Sequence, residues 1–250
     1  MRTLLLISFL TIVTLVNGQD QYPFEKFPSI EYKEYKDWKT YDKLDKNKRI
    51  HFTLTIPKYF DNEDTMTIQL TTFQASWDSS YVRIFRNKKQ IQKMFEPMHF
   101  LEINVQHETV RVADINGDKL NDVKIIIPYM GNGLASLNQR VIYLFQKDNG
   151  LFDKVSYLDK MGDNRSERDF DGDGQYEIIT MTLKGHESHN YWTFNLYNFI
   201  NGELITQNSK FDYPIMIQYL FRDNYKITDK ILPSKMKSFG DDKPEEYYRD

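Results

Sequence analysis

The sequence contains no cysteine, which excludes disulfide scaffolds, thiolate zinc sites, iron–sulfur clusters and cysteine nucleophiles. It also has no excess of basic residues, because the formal net charge is -3 at pH 7. A protein that binds nucleic acid needs a basic surface to neutralise phosphates, so we expect no nucleic-acid partner. Any bound metal must be held by oxygen or imidazole ligands.

Long apolar runs are absent after the N-terminus. Residues 4–16 are mostly apolar, follow the single charge of Arg2 and end in the compact stretch 16–18. This run is shorter than the about 20 residues that a membrane-spanning helix needs, and its pattern is typical of a secretory signal peptide. We therefore predict that residues 1–18 are a signal peptide, that the protein is secreted or periplasmic, and that no membrane span remains after cleavage.

The hydrophobic pattern changes at residue 50. Residues 19–49 repeat aromatic side chains every three positions, which gives no single helical stripe, so we predict an irregular or partly helical lead-in. Apolar and polar residues then alternate over 50–56, as expected for a β-strand. Similar short segments predict an all-β repeat domain over residues 50–232. Residues 233–250 are rich in charge and are predicted to be a peripheral tail.

One acidic motif occurs twice. Residues 114–122 read DINGDKLND, and residues 169–177 read DFDGDGQYE. Each is followed by an apolar run and, further on, by an Asn-Gly pair at 149–150 or 201–202. The same supersecondary unit is therefore predicted to occur twice. We call residues 114–122 the first acidic loop and residues 169–177 the second acidic loop.

Both loops have oxygen-bearing side chains at positions one, three, five and nine. At position seven, the backbone carbonyl would supply a further oxygen. Calcium requires six to eight such oxygen ligands. The predicted ligands are Asp114, Asn116, Asp118, Leu120 and Asp122 in the first loop, and Asp169, Asp171, Asp173, Gln175 and Glu177 in the second. Two structural Ca²⁺ sites are therefore expected. Calcium is plentiful outside the cytoplasm and could stabilise an exported chain that has no disulfides.

The acidic loops have two alternative interpretations. An EF-hand needs Glu at position twelve and a following helix, but those positions are Ile125 and Thr180, inside apolar runs with a strand pattern. Ordinary turns, in which polar side chains cap their own backbone, are the second alternative. Turn chemistry alone does not require four oxygen-bearing side chains at the same positions in two copies.

Nine-residue acidic loops that run directly into a strand resemble the integrin-type FG-GAP and VCBS repeats. The resemblance covers residues 112–204 and implies calcium loops in an all-β fold, either β-propeller-like or an irregular stack of blade-like antiparallel units. The chain departs from that pattern in the first loop, where Lys119 replaces the usual second glycine, and in the following strand, which keeps Pro128 but not the preceding Gly-Ala.

No G-x-S-x-G, P-loop or dinucleotide-binding motif is present. The pair His186 and His189 lacks the spacing of a zinc-protease helix, and a solvated loop is the simpler interpretation. We predict a ligand-binding loop over residues 185–192, with a mixture of aromatic and hydrogen-bonding groups at His186, His189, Asn190 and Trp192. The alternative is that Tyr191 and Trp192 begin a strand, and we expect at least one of them to lie in the core, because neighbours in a strand point to opposite faces.

Two functions remain open from the sequence. The first is a non-catalytic recognition module for a protein or glycan outside the cytoplasm, for instance an inhibitor or immunity factor toward a cell-wall-active enzyme. The second is a secreted carbohydrate-active enzyme whose carboxylate pair meets only in three dimensions. A broad aromatic surface would favour binding, and a deep pocket with perturbed carboxylates would favour the enzyme.

Overall fold

A computed structural model describes residues 22–40, 49–60, 63–73, 76–100, 108–128, 132–160, 165–218 and 228–250. The predicted signal peptide lies outside the described residues. Within the described parts of the chain, no helix has the length and apolar character needed to cross a membrane.

The described chain is mostly β-strand, which confirms the all-β prediction. In chain order the strands are β1 (Lys33–Tyr35), β2 (Lys39–Thr40), β3 (Arg49–Ile56), β4 (Met66–Phe73), β5 (Ser76–Arg86), β6 (Lys89–Glu96), β7 (Val110–Ala113), β8 (Asp122–Pro128), β9 (Asn138–Gln146), β10 (Phe152–Lys160), β11 (Ile178–His186), β12 (His189–Ile200), β13 (Glu203–Thr206), β14 (Ile215–Gln218) and β15 (Glu245–Arg249). The described helices are α1 (Pro233–Met236) and two 3₁₀ helices, Gly133–Leu137 and Lys237–Phe239.

These strands form three open antiparallel sheets. The first sheet has the order β2-β3-β4-β5-β6, and the second has the order β1-β7-β8-β9-β10-β15. In the third sheet, β12 pairs with β11 along one side and with β13 and β14 along the other. Consecutive hairpins therefore make up most of each sheet, because antiparallel neighbours can be joined by short turns.

The second sheet is covered on both faces. Along β8, Val123, Ile125 and Ile127 join one buried cluster with the inward side chains of the first sheet. Ile126 faces the other way, into a cluster that also contains Ile178 of the third sheet. This arrangement follows from the alternation of side chains along a strand, and it explains why the run after the first acidic loop is apolar at every position except Lys124.

The two ends of the domain contribute edge strands to the second sheet. Within the predicted lead-in, residues 22–40 contain β1 and β2 and no helix, and β1 pairs with β7. Within the predicted tail, β15 pairs with β10. Phe24 and Met236 are also buried, so both end segments contribute apolar side chains to the folded core.

Candidate cation-binding loops

Both acidic loops close a hairpin between paired residues. The first acidic loop joins β7 to β8, where Ala113 pairs with Asp122. The second acidic loop is closed by the bridge between Arg168 and Glu177, directly before β11. Position nine is therefore in strand pairing in both loops, and the acidic residues before it lie on the connecting turn.

The same four hydrogen bonds organise the two loops. The carboxylate at position one accepts the backbone N–H groups of positions four and six, as Asp114 does from Gly117 and Lys119 and as Asp169 does in the second loop. The carboxylate at position five accepts the N–H of position seven. The carboxylate at position nine accepts the N–H of position two, at 2.9 Å in both loops. The sequence repeat therefore has the same local structure in both copies.

Two positions in each loop have a left-handed backbone. Position four has φ of +77° at Gly117 and +79° at Gly172. Position six has φ of +83° at Gly174 but +70° at Lys119. Glycine adopts this conformation without a steric cost, whereas a residue with a Cβ does not. Lys119 is therefore strained in a position where the second loop has glycine.

The two acidic loops pack against each other. The backbone N–H of Tyr176 in the second loop donates to the carbonyl of Ile115 in the first, at 3.0 Å. Gly117 lies so close to the second loop that a Cβ added there would be 3.0 Å from the carbonyl oxygen of Gly174. Two loops rich in carboxylates are thus held side by side, and their mutual repulsion favours a bound cation between or within them.

The second acidic loop gathers its carboxylates most closely. Oxygen atoms of Asp169, Asp171 and Asp173 all lie within 4.8 Å of one another. Lys210 reaches this cluster from outside the loop, with its Nζ 2.5 Å from Asp171. That hydrogen bond holds the pKa of Asp171 below its usual range. The three carboxylates offer oxygen ligands of the kind that a hard metal ion takes, and the geometry does not identify the ion.

The acid at position nine is buried in both loops. Asp122 is fully buried and accepts the backbone N–H groups of Ile115 and Gln146, each at 2.9 Å. Burial raises its pKa to about 7. Burial also raises the pKa of Glu177 above its ordinary value. Removing charged carboxylates from water is unfavourable unless an opposite charge is near.

A buried ion pair anchors the start of the second acidic loop. Lys124 of β8 donates to Glu167 at 2.6 Å, and Tyr32 and Tyr143 donate to the same carboxylate. Burial alone would raise the pKa of Glu167, but the ammonium of Lys124 and the tyrosine hydroxyls hold it below its usual range. Lys124, the polar residue in the apolar run of β8, therefore fixes Glu167 and the loop that begins two residues later.

The predicted ligand-binding residues lie on the hairpin of β11 and β12. Residues 185–192 form strand rather than loop, except for the turn at Glu187 and Ser188, whose φ values of +47° and +63° fit a two-residue hairpin turn. His186 packs against the ring of Phe239, with ring centroids 5.5 Å apart. His189 lies opposite His186 in the register.

The other two residues of this set lie on the opposite side of β12. Asn190 and Trp192 alternate with His189 along the strand, so they point to the other face of the sheet. Asn190 is exposed, and Trp192 is half-buried against the cluster that contains Phe194. The hairpin therefore divides the four predicted residues between two faces.

Sequence reasoning missed two features of the second loop. Lys210 follows β13 and has no local motif that indicates its contact with Asp171. A pocket next to the loop is lined by Phe27, Phe170, Phe211 and Tyr213. The signal that could have indicated it is the aromatic residue at position two, where the first loop has Ile115.

Comparison of the chain with protein-family models, with curated proteins and with solved structures found no match. The interpretation of the acidic loops therefore depends on their own residues and geometry.

Proposed function

We propose that this protein is an exported, calcium-stabilised recognition module that binds a partner outside the cytoplasm without catalysis. The observation that carries the proposal is the cluster of Asp169, Asp171 and Asp173 in a loop whose backbone is already organised. The ligands proposed for the first loop are its equivalents at the same positions, with Asn116 replacing one carboxylate.

The chemistry of the donor set favours calcium. The side-chain ligands are all carboxylate or amide oxygens, which suit a hard cation, and the loops contain no cysteine or histidine. Calcium tolerates flexible coordination by six to eight oxygens, whereas magnesium demands near-ideal octahedral geometry. A cation in each loop would offset the repulsion between the two loops where they touch.

We propose that the protein is built from blade-like repeats. Each of the three open sheets corresponds in this proposal to a blade-like unit of the kind that the calcium-loop resemblance implies. The acidic loops lead into strands of the second and third sheets. The antiparallel hairpins and the repeated loop geometry support this interpretation, and calcium would stabilise the contact between adjacent units.

Thermal unfolding of the purified protein in chelator and in increasing calcium tests the proposal. A ligand that binds only the folded state stabilises it by RT ln(1 + [L]/Kd), about 2.7 kcal/mol at a hundredfold excess over Kd. We expect calcium to raise Tm and magnesium to raise it less. An unchanged Tm across the calcium series would contradict the proposal.

Asp171→Ala is the most informative variant. Asp171 accepts none of the four hydrogen bonds that organise the loop. Its carboxylate contacts Lys210 and the backbone of Asp173, so its removal should leave the loop folded. We expect this variant to lose most of the calcium-dependent rise in Tm. Asp153→Ala is the matched control, because Asp153 also lies 2.5 Å from a lysine, and its side chain is 31% exposed against 30% for Asp171. The control should retain the full calcium response.

A further inference from the structure

An open pocket lies beside the second acidic loop. It has a volume of about 220 Å³ and is formed by the N-terminal turn, position two of the loop and the segment that leads into β14. Phe170 is at its centre, with its ring 4.2 Å from Phe27, 5.2 Å from Phe211 and 5.7 Å from Tyr213, measured between centroids. Three segments that are distant in sequence therefore meet in one aromatic surface.

The size and lining of the pocket suit a single apolar side chain. Sites for drug-sized molecules have volumes of roughly 300–1,000 Å³, so this pocket has room for about one ring. Lys26 and Asp212 are the charged residues of its lining, and the rest is aromatic or aliphatic apart from the hydroxyl of Tyr213. A sugar would need several hydrogen-bonding groups around an open ring face. Here the aromatic rings pack largely on one another, which favours an aromatic side chain added to their edge.

The charge at the rim favours an acidic neighbour. Lys26 lies over the ring of Phe27, 5.0 Å from its centroid, and it forms no ion pair with any carboxylate in the part of the chain that the structure describes. Asp212 on the same rim is paired with Lys237 at 2.6 Å. Asp171 in the adjacent loop is paired with Lys210. Lys26 is therefore the rim charge that a partner can complement.

We infer that this pocket binds an aromatic side chain of a protein partner, presented next to an acidic residue that pairs with Lys26. The inference deepens the recognition function proposed above, since it names the site and the chemistry of the partner. The aromatic anchor supplies most of the binding energy, as buried aromatic residues do in protein interfaces. The acidic residue contributes selectivity more than affinity.

Nuclear magnetic resonance titration with short blocked peptides tests this inference on the full chain. The probes are N-acetyl-Asp-Phe-amide, its ring-deleted form N-acetyl-Asp-Ala-amide and its charge-reversed form N-acetyl-Lys-Phe-amide, with chitotriose as the glycan. We expect the first peptide to bind about tenfold more tightly than the ring-deleted form and about threefold more tightly than the charge-reversed form. Binding of chitotriose with no binding of the first peptide would overturn the inference.

Two variants assign the binding to the pocket. Phe211→Ala should weaken the first peptide by about tenfold, and Lys26→Gln should remove its preference over the charge-reversed form. The matched controls are Phe239→Ala and Lys235→Gln, because Lys235 lies over the ring of Phe239 much as Lys26 lies over Phe27. Equal effects of the pocket variants and the controls would overturn the inference.

The titrations are carried out in chelator and in calcium, which separates this inference from the calcium proposal. Peptide binding in both buffers with no calcium-dependent rise in Tm supports the pocket and contradicts the calcium-stabilised function. A calcium-dependent rise in Tm with no peptide binding in either buffer overturns the pocket inference and leaves the calcium sites intact.

Discussion

The first acidic loop places Ile115, at position two, in the core between the second and third sheets, whereas the second acidic loop places the equivalent Phe170 in an open aromatic pocket. Ile115 is 1% exposed, and Phe170 is half-buried. The hydrogen bonds that organise the two loops are the same. The same loop backbone therefore occurs in two different packing environments.

The two loops share the hydrogen bonds that fix the loop backbone and differ in the residues that pack around it. The carboxylates at positions one, five and nine fix the backbone of each loop, because each accepts N–H groups that would otherwise lack a partner. Position two is Ile115 or Phe170 and position six is Lys119 or Gly174, whereas position four is glycine in both loops and differs only in the atoms around it. The effects of substitutions at these three positions should therefore differ between the two loops in predictable directions.

The largest difference is expected at position two. Ile115→Ala should cost about 3 kcal/mol, since it removes a fully buried side chain and leaves a cavity between two sheets. Phe170→Ala should cost about 1–2 kcal/mol, because the ring is only half-buried. Urea denaturation in chelator measures both free energies of unfolding. Equal costs would mean that the two loops have similar environments and that Phe170 belongs to the core.

Position four should show the next largest difference. Gly117→Ala should cost about 2–3 kcal/mol, because the new Cβ combines left-handed backbone strain with a 3.0 Å approach to the carbonyl oxygen of Gly174. Gly172→Ala has the same strain but meets no atom within 4 Å, so about 1 kcal/mol is expected. The same denaturation experiment compares them. A smaller cost for Gly117→Ala than for Gly172→Ala would contradict the contact between the loops.

The smallest changes in stability are expected at position six. Exchanging the residues there should stabilise the protein in the first loop and destabilise it in the second. Lys119→Gly should stabilise the protein by about 0.5–1 kcal/mol, because glycine relieves the strain at a φ of +70°. Gly174→Lys should destabilise it by a similar amount, at a site with open space for a side chain. Differential scanning calorimetry detects both shifts in Tm. A loss of stability in Lys119→Gly would show that the lysine side chain makes a compensating contact.

Much of the secondary structure could be predicted from the sequence. Alternation over residues 50–56 indicated β3 with Phe52, Leu54 and Ile56 inward, and all three are buried there. Local patterns of this kind are informative because the side-chain period of a strand is two. Residues 185–192 form strands around a turn rather than a loop, because Glu187 and Ser188 adopt the left-handed conformations of a two-residue turn despite the absence of glycine or asparagine. The alternative interpretation, a strand with Tyr191 or Trp192 in the core, is confirmed by the burial of Tyr191 in β12.

The candidate site was predictable only in its local part. The spacing of carboxylates indicated the acidic loops, since each loop is closed by its own residues. The contact between the two loops, the pairing of Lys210 with Asp171 and the aromatic pocket were not predictable. Each of them joins segments that are far apart in the chain, and no periodicity of one segment indicates what packs against it.

By itself the sequence determined many of the β-strands, the repetition of the acidic motif and the absence of thiolate ligands, because these depend on residue type and on spacing within a few positions. Only the tertiary structure decided that the second sheet is covered on both faces and that the acidic loops touch. It also decided that Phe170 lines an open pocket, whereas Ile115 is buried in the core. The physical reason is that burial is a property of neighbours in space, and strands alike in their local pattern differ in what the fold places against them.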